Sequence, residues 1–332
     1  MIADRSPLRE RRARSIGITR YLGLDLGGTN IKVVVLEGGG AIISKAAYPT
    51  RAAEGPIAVR DRLAALANAT IAEHGPVAAL GVGLPGVTDA ERGAAVLLPN
   101  LPGAWAGLPV RDPIASATGL PVGLINDCRA FALAESLLGA GRGRGTVVCL
   151  VLGTGVGGGV VIDGKVHHGA GGAGEIGHQT VLADGPPCGC GNLGCVEALT
   201  RSDVFARLGG RDTPEQVYLG ARDGDPRARA AVDQVVGWLG IALANAYALL
   251  APDLFVVGGG IAGAGRDLLD PLASEVRRRV RIAPAERIAV VPGELGPYAG
   301  AIGAALWARE GAEAQPTARE FGPAAVNTAS MT

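Results

Sequence analysis

One plan occurs twice in this chain. YLGLDLGGTNIKVVVL runs from a short apolar stretch through a glycine turn into a second apolar stretch, and TVVCLVLGTGVGGGVVI does the same. Each turn has Gly-Thr at its centre, Gly28-Thr29 in the first and Gly153-Thr154 in the second. Short apolar runs bounded by glycine read as strands joined in hairpins. A hairpin unit that recurs after intervening helical sequence points to a duplicated unit, one per domain, in an α/β protein. The 332 residues suit two domains of ordinary size.

The segments between the repeats fill in that outline. After the first hairpin, GGGAIISKAAYPT continues as turn and strand. Residues 57–74 have helical spacing and close on Gly75-Pro76, a stop signal. VAALGVGLPGVTD reads as a buried strand entering a glycine-proline turn, and residues 93–110 as loop. A short helix, the strand PVGLIND and the helix CRAFALAESLLGAG follow. Beyond the second hairpin, 201–250 is mostly helical. DLFVVGGG and RIAVVPG read as strands, and RDLLDPLASEVRRRV and GPYAGAIGAALWARE as helices. The arginine-rich residues 1–19 are expected to form a flexible arm, and the Ala/Pro/Thr-rich residues 311–332 a disordered tail.

Zero net charge gives no footprint for nucleic acid or an acidic membrane. No apolar run reaches the roughly 18 residues of a membrane helix. Five cysteines is an odd number, and no signal segment opens the chain. The expectation is a soluble, cytoplasmic protein with reduced thiols.

Three of those cysteines crowd into one stretch, GGAGEIGHQTVLADGPPCGCGNLGCVE, residues 171–197. Cys188, Cys190 and Cys195, with His178 upstream, are the four ligands a closed tetrahedral Zn²⁺ site prefers. Gly189, Gly191 and Gly194 let the backbone turn sharply enough to aim three sulfurs at one point. Four protein ligands leave no open position, so a structural Zn²⁺ is expected rather than a catalytic one.

The two glycine turns suit phosphate. Gly27 and Gly28 allow close approach of backbone N–H groups to an anion, Thr29 and Asn30 add donors, and Lys32 adds charge. Asp25, at the strand end, can hold hydrated Mg²⁺ through water. Gly153, Gly155 and Gly158 satisfy the dinucleotide spacing, but that fingerprint must open a helix, and here VVIDGKV reads as a strand breaking at Asp163-Gly164. A second phosphate hairpin with Gly153, Thr154 and Gly155 remains. Gly258, Gly259 and Gly260 precede a helix and keep an NAD-dependent alternative open, although Glu275 falls inside that helix rather than at a strand end. No P-loop sequence exists.

Asp127 ends one strand and begins a helix, where it can cap the helix or serve as a general base toward a hydroxyl. Glu175, His178, Glu197 and Asn100 supply the density of donors and acceptors that a sugar requires.

Taken together, these motifs resemble the ROK family of sugar kinases and repressors. GEIGH followed by CGCGNLGCVE looks like the family's zinc signature, and DLGGTNIK and LGTGVGGG look like its two phosphate motifs. The resemblance runs from about Tyr21 to Trp307. It implies a two-domain, actin-like ATPase (ribonuclease H-like) fold with a deep interdomain cleft and a zinc-bearing loop. It also implies residues 20–125 plus 297–310 as the smaller domain and 126–296 as the larger. By the same similarity Asp127 is the catalytic base. Gly86, Asn100, Asn126, Glu175, His178 and Glu197 contact the sugar, and Gly258 to Gly260 lie near the adenosine. ATP, Mg²⁺ and a structural Zn²⁺ are the implied cofactors, and a homodimer or homotetramer the implied assembly. Retention of Glu175, His178 and Glu197 looks most like a glucokinase. Kinases for N-acetylmannosamine, N-acetylglucosamine, fructose or mannose, and a non-catalytic sugar sensor, are the rival readings. Only about 20 residues precede the first strand, which disfavours a repressor with an N-terminal winged helix. Cys128-Arg129 departs from the small residue and Asn that many relatives carry after the base.

Overall fold

The computed structural model describes residues 19–89, 91–99 and 101–313. The expected arm before Thr19, the expected tail beyond 313 and the candidate Asn100 lie outside the described residues.

The duplicated plan becomes two five-stranded sheets. In the first, β1 (Arg20–Leu26), β2 (Asn30–Glu37) and β3 (Ile42–Pro49) form consecutive antiparallel hairpins. On the other side of β1 lie β4 (Ala79–Leu84) and then β7 (Val122–Asn126), both parallel to it. The second sheet repeats this. The hairpin of β8 (Thr146–Leu152) and β9 (Val156–Ile162) carries the short β10 (Lys165–Val166) at its edge. β11 (Leu254–Gly258) and β12 (Val290–Pro292) continue from β8 in parallel. β4 is buried at every position, as a strand covered on both faces should be.

Residues 93–110 are not all loop. β5 (Val87–Asp89) pairs with β6 (Ala94–Leu97) in a small separate ribbon. The run AAVL was too short and too close to proline to announce itself as a strand.

Helices cover the sheets. α1 (Pro56–His74) starts with proline, whose missing N–H costs nothing in the first turn, and ends at Gly75. It buries Val59, Leu63 and Ala67 in one core with β1, β2 and β4, joined by Ile114 of α2 (Arg111–Thr118). After β7, α3 (Asp127–Leu138) packs on the second sheet. α4 (Val196–Thr200), α5 (Ser202–Leu208), α6 (Pro214–Arg222) and α7 (Pro226–Leu250) follow the cysteine loop. α8 (Arg266–Arg279) packs on α7 over a core centred on Phe205, Leu239, Leu243 and Phe255. By length and composition alone α7 could cross a membrane, although its uninterrupted apolar run falls short of 18 residues. Half of its apolar window is buried inside the protein, as in a core helix.

α9 (Ala299–Glu313) continues into residues expected to begin the tail. It lies on the first sheet and against α3, so the two helices sit side by side between the sheets. One cluster joins Tyr21 and Val34 of the first sheet, Val147 and Val256 of the second, and alanines of both helices. Glycine makes this approach possible. A Cβ on Gly81 would lie 1.8 Å from the carbonyl oxygen of Ala304, and one on Gly303 would lie 1.7 Å from that of Ala130. Backbone therefore meets backbone at both crossings.

Candidate functional site

β1, β4 and β7 are parallel, so their carboxyl ends share one edge of the first sheet, where open α/β sheets bind ligands. Asp25 lies opposite Gly83, and Asn126 lies opposite Leu84. Two carboxylates, Asp25 and Asp127, thus come to one edge from sequence positions far apart.

Asn126, not Asp127, caps α3. Its Oδ1 accepts from the N–H groups of Cys128 at 3.0 Å and Arg129 at 3.1 Å, while its Nδ2 donates to the Gly86 carbonyl at 3.0 Å. The two expected sugar contacts, Gly86 and Asn126, are therefore bonded to each other. Gly86 has φ +97°, and a Cβ there would lie 2.2 Å from the Leu97 carbonyl oxygen, so only glycine fits.

Asp127 is the first residue of the helix, with Oδ1 accepting from Cys128 N–H at 2.8 Å. Burial foremost, then the negative charge of Asp25 and to a lesser extent that of Glu175, push its pKa up to about 7 against the hydrogen bonds from Cys128. Burial also raises the Asp25 carboxyl, and Lys32, 3.8 Å away, opposes this. A carboxyl that titrates near neutrality can both take and return a proton there.

The hairpin turns keep some donors free. In the first, Gly27 N–H is taken by the Asn30 carbonyl at 3.0 Å, and Thr50 Oγ1 donates to the Gly27 carbonyl at 2.6 Å. In the second, Gly153 N–H goes to the Gly155 carbonyl at 2.9 Å, and Ser202 Oγ donates to the Gly153 carbonyl at 2.6 Å. Among the described residues, the N–H groups of Gly28, Thr29, Thr154 and Gly155 have no partner. At the carboxyl end of β11, Gly258 is buried with Phe131 pressed against it: a Cβ would lie 2.3 Å from the ring. It is a packing residue, whereas Gly259 and Gly260 are exposed. A 3-10 turn, Ile261–Ala264, separates them from α8, and Glu275 is spent inside α8 on Arg278 and Arg279.

Glu175 precedes the 3-10 turn Ile176–His178, and His178 ends it. Arg129, buried in α3, donates to the Gly171 carbonyl and lies 3.4 Å from Glu175 Oε1, pinning this loop to the helix that carries Asp127.

The ligand atoms of His178, Cys188, Cys190 and Cys195 all lie within 4.8 Å of one another. His178 Nδ1 is 3.7 Å from Cys188 Sγ, and the sulfurs of Cys190 and Cys195 are 3.7 Å apart. Tetrahedral zinc at ordinary bond lengths sets such pairs roughly 3.6–3.8 Å apart. The donor set fits that metal, and all five cysteines are unbridged. Facing the cluster with Nδ1 leaves His178 Nε2 for another partner. Glu197 Oε1 lies 3.7 Å from Cys188 Sγ, and its Oε2 accepts from Val156 N–H at 2.9 Å.

Residues 21–311 match the ROK family. The chain belongs to the ROK family. It is 35% identical to a glucokinase of Thermotoga maritima over 314 residues, 88% of this chain and 98% of the relative. A ROK hexokinase from Thermus thermophilus superposes with TM-score 0.81 at 37% identity, covering 89% of this chain and 99% of the other. A ROK glucokinase from Streptomyces griseus, solved with glucose and AMPPNP, gives 0.75 at 34% identity, covering 88% and 100%. The α/β architecture with two like-built sheets is thus that of ROK sugar kinases.

In this ROK chain sequence reasoning marked Arg129 only as a departure from the family pattern and passed over Glu135. Arg129 and Glu135 sit in the apolar run of α3, where a charge demands a partner. Glu135, fully buried, accepts from the N–H groups of Ala140, Glu294 and Leu295, tying α3 to the strand-to-helix link before α9. A charged residue at a core position of a helix was the available signal. Two glycines of β9 have a packing role that the sequence did not announce. A Cβ on Gly157 would lie 2.3 Å from Cys128 Sγ, and one on Gly159 would lie 2.6 Å from the Ala132 Cβ, so both make room for α3.

Proposed function

We propose that this protein is an ATP-dependent hexose kinase that phosphorylates the 6-hydroxyl of glucose, with Asp127 as general base. The observation that carries the reading is the Asp127 carboxyl. In a ROK chain it stands at a strand end shared with Asp25, and its pKa lies near 7. A carboxylate within reach of a hydroxyl orients it and takes its proton as the oxygen attacks phosphorus. The sugar would lie between the two sheets' carboxyl edges, its 6-hydroxyl toward Asp127. Glu175, through a carboxylate fixed by Arg129, and His178, through Nε2, would hold its other hydroxyls. The unpartnered N–H groups of Gly28, Thr29, Thr154 and Gly155 would receive the phosphates, and exposed Gly259 and Gly260 the nucleoside. Asp25 would take Mg²⁺ through water, and the metal would screen the phosphate charge. His178, Cys188, Cys190 and Cys195 would hold Zn²⁺, which supplies rigidity and no chemistry. In this reading the halves of the chain are domains that close on the sugar and exclude water.

A coupled assay for ADP release over a panel of hexoses tests this. The panel includes glucose, mannose, fructose and the N-acetylated hexosamines. Release with glucose at the highest kcat/KM supports the reading. Preference for another hexose corrects the substrate, and sugar binding without ADP release replaces the kinase by a sensor.

A further inference from the structure

The cysteine loop and the second glycine hairpin are bolted together at one residue. Val156 opens β9 directly after the Gly153–Gly155 turn. Its N–H donates to Glu197 Oε2 at 2.9 Å. On its other side Gly177 is pressed so close that a Cβ there would lie 1.8 Å from the Val156 carbonyl oxygen. Gly177 sits between Glu175 and His178, and Glu197 follows Cys195 by two positions. The same Glu197 carboxylate also backs the hairpin: a Cβ on Gly155 would lie 2.5 Å from Oε2. Five residues further on, Ser202 holds the Gly153 carbonyl through both its hydroxyl, at 2.6 Å, and its N–H, at 3.1 Å. The turn is thus gripped at both ends by the segment that leaves the cysteine cluster.

From this geometry we infer that Glu197 is a positioning residue for the phosphate-donor side of the site, beyond the sugar contact that the family resemblance implies for it. By accepting from Val156 N–H it fixes the Gly153–Gly155 turn to the metal-ligand loop. The loop that presents Glu175 and His178 and the turn that presents Thr154 and Gly155 N–H therefore move as one body. The inference rests on the kinase reading for what that turn binds, but the tie itself does not.

Two readouts separate those layers. The first is amide hydrogen exchange over 152–157 with no ligand added, comparing the full chain with Glu197→Ala and Glu197→Gln at equal zinc content. The tie predicts roughly tenfold faster exchange in the alanine variant, because the acceptor is gone. It predicts near-native protection in the glutamine variant, whose Oε1 can accept the same N–H. The second is calorimetric binding of Mg·AMPPNP without sugar. Glu197→Ala should weaken it about tenfold, with Glu197→Gln within about twofold of the parent. Ser202→Ala, which loosens the other end of the turn, should weaken it in the same direction. Unchanged exchange over 152–157 in Glu197→Ala overturns the inference. So does a loss confined to sugar affinity with nucleotide binding intact. Failure of the parent chain to bind Mg·AMPPNP would instead overturn the kinase reading, and the exchange data would still decide the tie.

Discussion

Gly303 of α9 crosses Ala130 of α3 with the two backbones in contact; a Cβ at 303 would lie 1.7 Å from the Ala130 carbonyl oxygen. No rotamer can relieve such a clash, because the obstructing atom is backbone. Gly303→Ala should therefore cost at least about 3 kcal/mol in denaturant unfolding. Gly39→Ala, where a Cβ meets nothing within 4 Å, should stay within about 0.5 kcal/mol of the parent. Equal stability of the two variants would refute the close crossing.

Asp127→Asn separates catalysis from binding. If Asp127 is the base, kcat should fall about 10²–10⁴-fold, while glucose affinity measured by calorimetry stays within a few-fold. Near-normal turnover would remove Asp127 from the mechanism.

The same variant reports on folding through pH. The unfolded carboxyl titrates near 3.8 and the folded one at about 7. Between those values the folded chain holds a proton that the unfolded chain has lost, so this group makes stability fall as pH rises through that window. Asparagine cannot ionise. Asp127→Asn should therefore match the parent below pH 4, gain on it up to pH 7 and hold a constant advantage above. That advantage is on the order of 2 kcal/mol after allowing for partial solvation of the site. Thermal melts at several pH values measure this, and an advantage that shrinks as pH rises would contradict the raised pKa.

Activity should carry the same signature with the opposite sense. A base must be ionised, so kcat/KM for the sugar should drop tenfold per pH unit below an inflection near 7. An acid limb near 4 would mean that burial and Asp25 do not act on Asp127 in the free enzyme.

The metal cluster makes a separate demand. Purified protein should carry about one zinc per chain, and Cys195→Ser, at a fully buried ligand, should lose it. Loss of the metal should cost sugar affinity before it costs global folding, since the cluster lies in a loop outside both sheets. Elemental analysis and glucose calorimetry on the same sample check both points. A zinc-free variant with native sugar affinity would show that the cluster does not shape that wall.

The two hairpins, the helix from 57 to 74, the zinc-type ligand spacing and the family were legible in the linear sequence, because each depends on neighbours within a few residues. Periodicity, glycine punctuation and ligand spacing are local quantities. The sequence also pointed to Asp127 as a group to watch, but not to the raised pKa that burial, Asp25 and Glu175 impose across strands. Arg129 pinning Glu175, Glu135 bonding 294 and 295, and Glu197 gripping Val156 each join residues separated by tens of positions or more. The glycines of β9 looked like a phosphate motif and serve partly to let α3 sit down, which depends on which helix arrives there. Spacing along the chain sets which side chains are on offer. Which of them meet, and which lose water in meeting, was decided only when α3 and α9 closed between the sheets.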